Sequence, residues 1–365
     1  MAQASPEQAL CQFILCIESR GSAQRRANAF ANEAIASHAV LHMQHAHRSL
    51  AISKKKSVRG LRAGRRTALA SHGAMMTKRR AKHIIDMRAR PSFLHSFFGA
   101  DCQSDDYETV RWINNRLGAR DVDHFTRAKD LTGLVEELAA AQIDVAVMVG
   151  RSTPAVRISN DELAALVGAS EGRLLGVGSV DPQLFAGVAA EVEAYRCLSD
   201  LKLAGVNVDP GFYNEPISHD HESLTPIYAA CDAANKPVFL MSGPTTPDLR
   251  HNDPLAVDRV AKRFPSLQIV CCHGFYPRID DMIGVAFRNE NVFVSPDMYL
   301  FAPGGERYAA AAKGFLSTQL LFGTSYPFRP ILQSVRDFFA LELDEDALEN
   351  VAWRNAARLL HINLN

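Results

Sequence analysis

What this chain lacks narrows its class. No apolar run approaches the ~20 residues that a membrane-spanning helix requires, so no membrane partner is expected. The seven cysteines are Cys11, Cys16, Cys102, Cys197, Cys231, Cys271 and Cys272, an odd number without a repeated Cys-x-x-Cys spacing. That argues against a disulfide framework and a zinc knuckle, and it fits a reducing, cytoplasmic compartment. No Gly-rich dinucleotide turn follows a strand-like segment, which disfavours a doubly wound nucleotide-binding sheet. Net charge is also missing, with 40 Lys or Arg against 40 Asp or Glu.

The balanced charge hides an asymmetry. Residues 1–82 hold 15 basic and 3 acidic side chains, which leaves 25 basic and 37 acidic in the remainder. The basic head is rich in Ala, Ser, Arg and His and has no sustained periodicity. A nucleic-acid-binding arm or a transit peptide would have this composition. No aromatic residues interleave the charges, however, so nucleic acid is not the expected partner. We read residues 1–80 as a disordered leader or as sequence upstream of a natural start at Met75 or Met76. Residues 81–365 are then the folded domain.

From His83 onward, short β-branched runs alternate with amphipathic stretches. The expected strands are His83–Met87, Ile143–Val149, Leu174–Val180, Leu203–Val208, Pro237–Met241, Gln268–Cys272, Asn291–Ser295 and Gln319–Phe322. Helical patterns between them include Asp130–Gln142, Asp161–Gly168, Leu184–Cys197, Leu224–Ala234, Pro254–Arg263 and Arg278–Asn289. Eight strand–helix units with near-continuously apolar strands point to an α/β fold, a single-domain (β/α)8 TIM barrel. The stretch from Pro91 to Ala128 is too long for a simple loop and is expected to lean over the barrel mouth.

In such a barrel the chemistry gathers where strands end. Those ends place Arg88, Arg90, Arg151, Asp181, Asn207, Asp209, Ser242, His273, Ser295, Asp297 and Ser325 at one level. Singly, each has a plain structural use. Asp181-Pro182 and Asp209-Pro210 are good turn starters, and a lone His273 is commonly a satisfied core residue. Together they are more informative. Arg88 and Arg90, two apart on one strand, share a face and cannot shed their charge. They therefore need an anion, which is either a substrate or an internal carboxylate such as Asp297 or Asp181.

At these residues the chain resembles the amidohydrolase-related family of metal-dependent hydrolases and decarboxylases, which includes aminocarboxymuconate-semialdehyde decarboxylase. The marks are Ile85-Asp86-x-x-x-x-Pro91, Ile143-Asp144-x-Ala146-Val147, Gly176-Val177-Gly178-Ser179-Val180-Asp181-Pro182, Pro237-Val238, Phe264-Pro265-x-Leu267, His273-Gly274, Phe322-Gly323-Thr324-x-Tyr326-Pro327 and Asn355-Ala356-x-x-Leu359. They run from His83 to the C-terminus. The family's metal-binding pattern does not carry over. Its His-x-His on strand one reads Arg88-Ala89-Arg90, its strand-five His falls in Met241-Ser242-Gly243, and its strand-eight Asp is Ser325. Only His273 remains. Arg cannot ligate zinc and neutral Ser is poor at it, so no metal and no other cofactor is expected.

The expected function is hydrolysis or decarboxylation of a small carboxylated substrate without the usual divalent metal. Arg88, Arg90, Arg151, Ser242 and Asn207 would bind the substrate. His273 would act as acid or base, with Asp297, or less readily Asp181, activating water or orienting it. Ser325 or Ser242 as nucleophile ranks lower, because no Gly-x-Ser-x-Gly surrounds either. Metal-free lactone hydrolysis is chemically plausible, since an activated ester is an easier target than an amide, and the resemblance leaves other C–O or C–N hydrolysis and decarboxylation open. The alternative is an inactive barrel that binds an anionic ligand or a partner subunit. Related barrels often pair through outer helices, which leaves a homodimer open without fixing the oligomeric state.

Overall fold

The structure, a computed structural model, describes residues 81–104 and 106–364. The expected leader over residues 1–80 lies outside the described residues. Seven parallel strands follow one another in a single sheet: β1 (Ile85–Ala89), β2 (Val145–Val149), β3 (Leu174–Ser179), β4 (Gly205–Val208), β5 (Val238–Leu240), β6 (Ile269–Cys272) and β7 (Val292–Ser295). Helices cover the outside, and the six expected from periodicity appear as Leu131–Ala140, Asn160–Gly168, Val188–Tyr195, Thr225–Ala233, Pro254–Arg263 and Ile279–Arg288. Local chemistry starts them. Asp130 and Asp253 accept from backbone amides at their helix ends, and Ser159 and Glu162 form a reciprocal capping box. Among the described residues, no helix is long and apolar enough to cross a membrane.

The expected eighth strand is present only as a bridging segment. Val294 N donates to Gln319 O and Leu321 N to Val294 O, both at 2.9 Å. On the other side Met87 N donates to Phe322 O at 2.9 Å and Ser325 N to Arg88 O at 2.8 Å. The segment thus joins β7 to β1 and nearly closes the barrel. Regular pairing breaks at Thr324, whose amide turns to the Asp86 carboxylate instead of a strand carbonyl.

Two apolar layers result. An inner cluster fills the barrel with Ile85, Met87, Val145, Val147, Val149, Val177, Phe239, Met241, Val270, Cys272, Phe293 and Leu321. An outer cluster, including Ile84, Ala89, Ala146 and Met148, lies between strands and helices. Along β1 the alternation changes phase. Asp86 pairs with Ala146 but Ala89 pairs with Met148, so three steps on β1 match two on β2. This is a β-bulge, which re-aims side chains. Ile85 and Met87 face inward before it, and Ala89 faces outward after it, so Arg88 and Arg90 both enter the barrel.

The stretch between β1 and β2 forms the turn Ser96–Phe98, the helix Tyr107–Arg116 and the turn His124–Thr126. It docks on the segment just past the barrel closure. Asn114 Nδ2 donates to Pro327 O at 3.0 Å, His124 Nε2 lies 2.8 Å from Asn114 Oδ1, and Phe98 packs edge-on to Phe328. The insertion therefore covers this side of the mouth, as its length suggested.

Asp86 is the clasp of this arrangement. Its carboxylate accepts from Arg88 N at 3.0 Å, Thr324 N at 2.9 Å and Thr324 Oγ1 at 2.6 Å. Asp86→Ala would leave three buried donors unmatched and should lower unfolding stability by at least about 2 kcal/mol, read by chemical denaturation. Burial pushes the Asp86 carboxyl up from 3.8 to about 7. The folded state then holds the proton more tightly than the unfolded one, so this contribution to stability falls as pH rises from about 4 through about 7. Asp86→Asn should flatten that slope.

Candidate active site

The ends of the strands bring most of the expected residues together. Arg88 is 1% exposed, Arg90 2% and Arg151 7%. Arg88 crosses the barrel interior, its Nη2 reaching Met241 Sδ at 3.3 Å and its Nε standing 3.9 Å from Asp297 Oδ2. Arg90 leans the other way. Its Nε donates to Val149 O at 3.0 Å and its guanidinium lies 6.0 Å from the Phe98 ring centre. Arg151 stacks over Phe212 at 4.4 Å, with its Nε 3.9 Å from Asp209 Oδ1. Burial, and the repulsion of Arg88 and Arg151, pull Arg90 well below its ordinary range. Each of the three retains a buried N–H without a hydrogen-bond partner: Arg88 Nε, Arg90 Nη2 and Arg151 Nε.

Facing them is His273, at the end of β6. Its Nδ1 lies 3.0 Å from Asp297 Oδ2, and its amide donates to the same oxygen at 3.0 Å. Ser295 Oγ donates to the other oxygen at 2.5 Å. Burial lowers the imidazole to about 4, despite the opposing pull of Asp297, so His273 is neutral at pH 7. Tyr299 packs edge-on against its ring. Of the two carboxylates considered for orienting His273, Asp297 is in place. Asp181 instead accepts from Gln183 N at 2.8 Å in its own turn.

His273, Asp297 and Ser325 have φ values of 59°, 56° and 59°. A left-handed backbone at a non-glycine residue costs of order 1 kcal/mol or more and clusters at functional sites. Three such residues end neighbouring strand positions here. Gly323 makes the packing beside them feasible, because a Cβ there would lie 2.5 Å from Asp297 Oδ1 and 3.0 Å from Arg88 Cβ.

Two expected binding residues are occupied by protein partners. Ser242 Oγ donates to Cys272 O at 2.5 Å and accepts from Phe275 N at 3.1 Å. Asn207 Nδ2 donates to Asp209 Oδ2 at 2.7 Å, bracing the carboxylate that faces Arg151, while its Oδ1 has no partner. Ser325 is buried and tied to Arg88 through its backbone amide. Asp86, Asp209 and Gly323 also shape the site. Strand-end position pointed to Asp209, and the sequence marks already contained Asp86 and Gly323, but nothing in their spacing revealed these contacts. A surface cavity of about 390 Å³, lined by Ser92, Phe93, His95, Ala100, Asp101 and Lys129, begins two residues beyond Arg90. Among the described residues, no group of three His, Cys, Asp or Glu side chains is placed to hold a metal ion.

Comparison with known proteins adds an independent line. The amidohydrolase family pattern matches residues 45–362. An uncharacterized TIM-barrel protein from Bordetella bronchiseptica is 34% identical, with a TM-score of 0.67 over 77% of this chain and 99% of that one. A 5-carboxyvanillate decarboxylase from Sphingomonas paucimobilis shares the fold at 20% identity and TM-score 0.54, over 77% of this chain and 99% of its own. So does a dihydroxybenzoic acid decarboxylase from Polaromonas, solved with bound manganese and 2-nitroresorcinol, at 18% identity and TM-score 0.56, over 79% and 98%. No curated protein gives a significant match.

The contact at Gly323 is directly testable. Gly323→Ala should push on Asp297 and Arg88 and destabilise the fold by about 1–3 kcal/mol. An unchanged denaturation midpoint would contradict this packing.

Proposed function

The chain belongs to the amidohydrolase family, and from that premise we propose that it is an enzyme acting on a small carboxylated organic substrate, with arginines standing where the family pattern has metal-binding histidines. The observation that carries this reading is the set of three buried guanidiniums at the strand ends, each with an unpartnered N–H, one of them, Arg88, 3.9 Å from the Asp297 carboxylate that also flanks His273. The manganese bound in the Polaromonas decarboxylase raises the question of a metal here. The donor set does not fit one. Arg88, Arg90, Ser242 and Ser325 replace ligands, and a cation would sit among three others.

Fixed guanidiniums supply positive charge of their own, forking onto a carboxylate or facing a developing oxyanion. His273 is placed to act as general base. With Asp297 beside Nδ1, the other ring nitrogen takes a proton from water as the oxygen adds to a carbonyl carbon. Arg88 faces the oxyanion, the C–O or C–N bond breaks, and the proton passes to the leaving atom. A lactone suits this machinery. A carboxy-lyase must instead start from a protonated acid to deliver a proton to carbon, and burial keeps His273 neutral. That reading rests on the family resemblance and the decarboxylase fold likeness, and binding without turnover would favour the inactive anion-binding barrel.

A screen of lactones and carboxylated dienes tests the proposal. His273→Ala should reduce kcat by about 10²–10⁴-fold. The kcat/KM of the unaltered enzyme should fall on the acid side as pH drops through about 4, where the base becomes protonated. Activity should survive chelation, and purified protein should carry substoichiometric metal. Stoichiometric zinc or manganese tied to activity would overturn the arginine reading.

A further inference from the structure

We propose that the barrel mouth is built for a singly charged organic anion, with Arg90 the residue that takes its carboxylate and Arg88 and Arg151 positioned by protein carboxylates. This rests on the reading that the mouth binds a small organic acid, and it specifies that ligand's charge. The three arginines are not equivalent. Arg88 faces Asp297 and Arg151 faces Asp209, each at 3.9 Å. Among the described residues, Arg90 has no carboxylate within ion-pair distance. Its Nε is occupied by the Val149 carbonyl, and its Nη2 is buried without a partner.

Three cations therefore face two carboxylates, leaving one positive charge over. Asp181, the other carboxylate near Asp209, turns to Gln183 N and has Arg157 as its nearby cation, so it leaves this count unchanged. The His273 imidazole and the Cys272 thiol are neutral at pH 7, since burial drives one down to about 4 and the other up to about 12. Asp86 turns to Thr324 and the Arg88 amide, forms no ion pair with these side chains, and is mostly protonated below its raised value of about 7. An unpaired buried cation is costly, and one entering carboxylate removes that cost. A second negative charge would be desolvated with no cation left to meet it, close to Asp209 and Asp297. Charge matching of this kind discriminates between ligands more than it adds raw affinity.

Calorimetric titration of the full chain with benzoate and isophthalate, which share a ring and differ by one carboxylate, tests the count. Benzoate should bind tighter by about tenfold or more. Arg90→Gln should weaken benzoate by about tenfold or more, while Arg90→Lys, which keeps the charge but loses the fork, should fall between. Asp209→Asn is close to isosteric and raises the surplus to two, so it should shift preference toward isophthalate by about tenfold. Should Arg90→Gln fail to fold, Asp209→Asn carries the test alone. Tighter binding of isophthalate by the unaltered protein, or an unmoved preference in Asp209→Asn, overturns the charge assignment but leaves the organic-acid reading standing. Binding of neither acid overturns both.

Discussion

The Asp86 carboxylate is the contact on which the rest of this site depends. It accepts the Arg88 amide on its own strand and the Thr324 amide and hydroxyl across the closure. One side chain thus fixes the bulge in β1 and fastens the irregular eighth segment to it. Without the bulge, strict alternation from Ile85 and Met87 would send Arg88 toward the helices. With it, both arginines enter the barrel. The burial that makes this clasp strong also makes its ionised form expensive, which is why the group titrates far from the usual carboxylate range.

Charge placed in a low-dielectric interior organises the remainder. Arg88 and Arg151 each approach a carboxylate without closing a hydrogen bond, and Arg90 approaches none. Such loose pairing is a poor way to stabilise a fold, since buried ions are worthwhile only when well paired and hydrogen-bonded. It is a good way to keep donors aimed at an incoming anion. The left-handed backbones at His273, Asp297 and Ser325 agree with this, because local strain at several strand ends is tolerated where function holds it.

The barrel was largely legible in the sequence, because apolar strand runs and amphipathic helices repeat with different periods, and the strand ends named most residues at the mouth. The i, i+2 spacing of Arg88 and Arg90 correctly gave them a common side. It could not show that a bulge chooses which side, since a bulge is a pairing event between β1 and β2 rather than a local preference. Nor could it show that the two guanidiniums diverge, Arg88 toward β5 and β7 and Arg90 toward β2. Ser242 looked like a ligand-facing hydroxyl by position alone. Its commitment to Cys272 and Phe275 depends on the left-handed turn at His273, which sequence spacing does not reveal. The eighth strand read as regular because Leu320, Leu321 and Phe322 are apolar. Asp86 captures Thr324 just beyond them and breaks the ladder.

The central claim is that guanidiniums occupy the place of a metal. It is tested most directly by a crystal structure grown with both manganese and benzoate, with anomalous scattering locating the metal. The account predicts no manganese at the barrel mouth and a carboxylate within hydrogen-bond distance of Arg90. A manganese peak coordinated by His273 and Asp297 would contradict it.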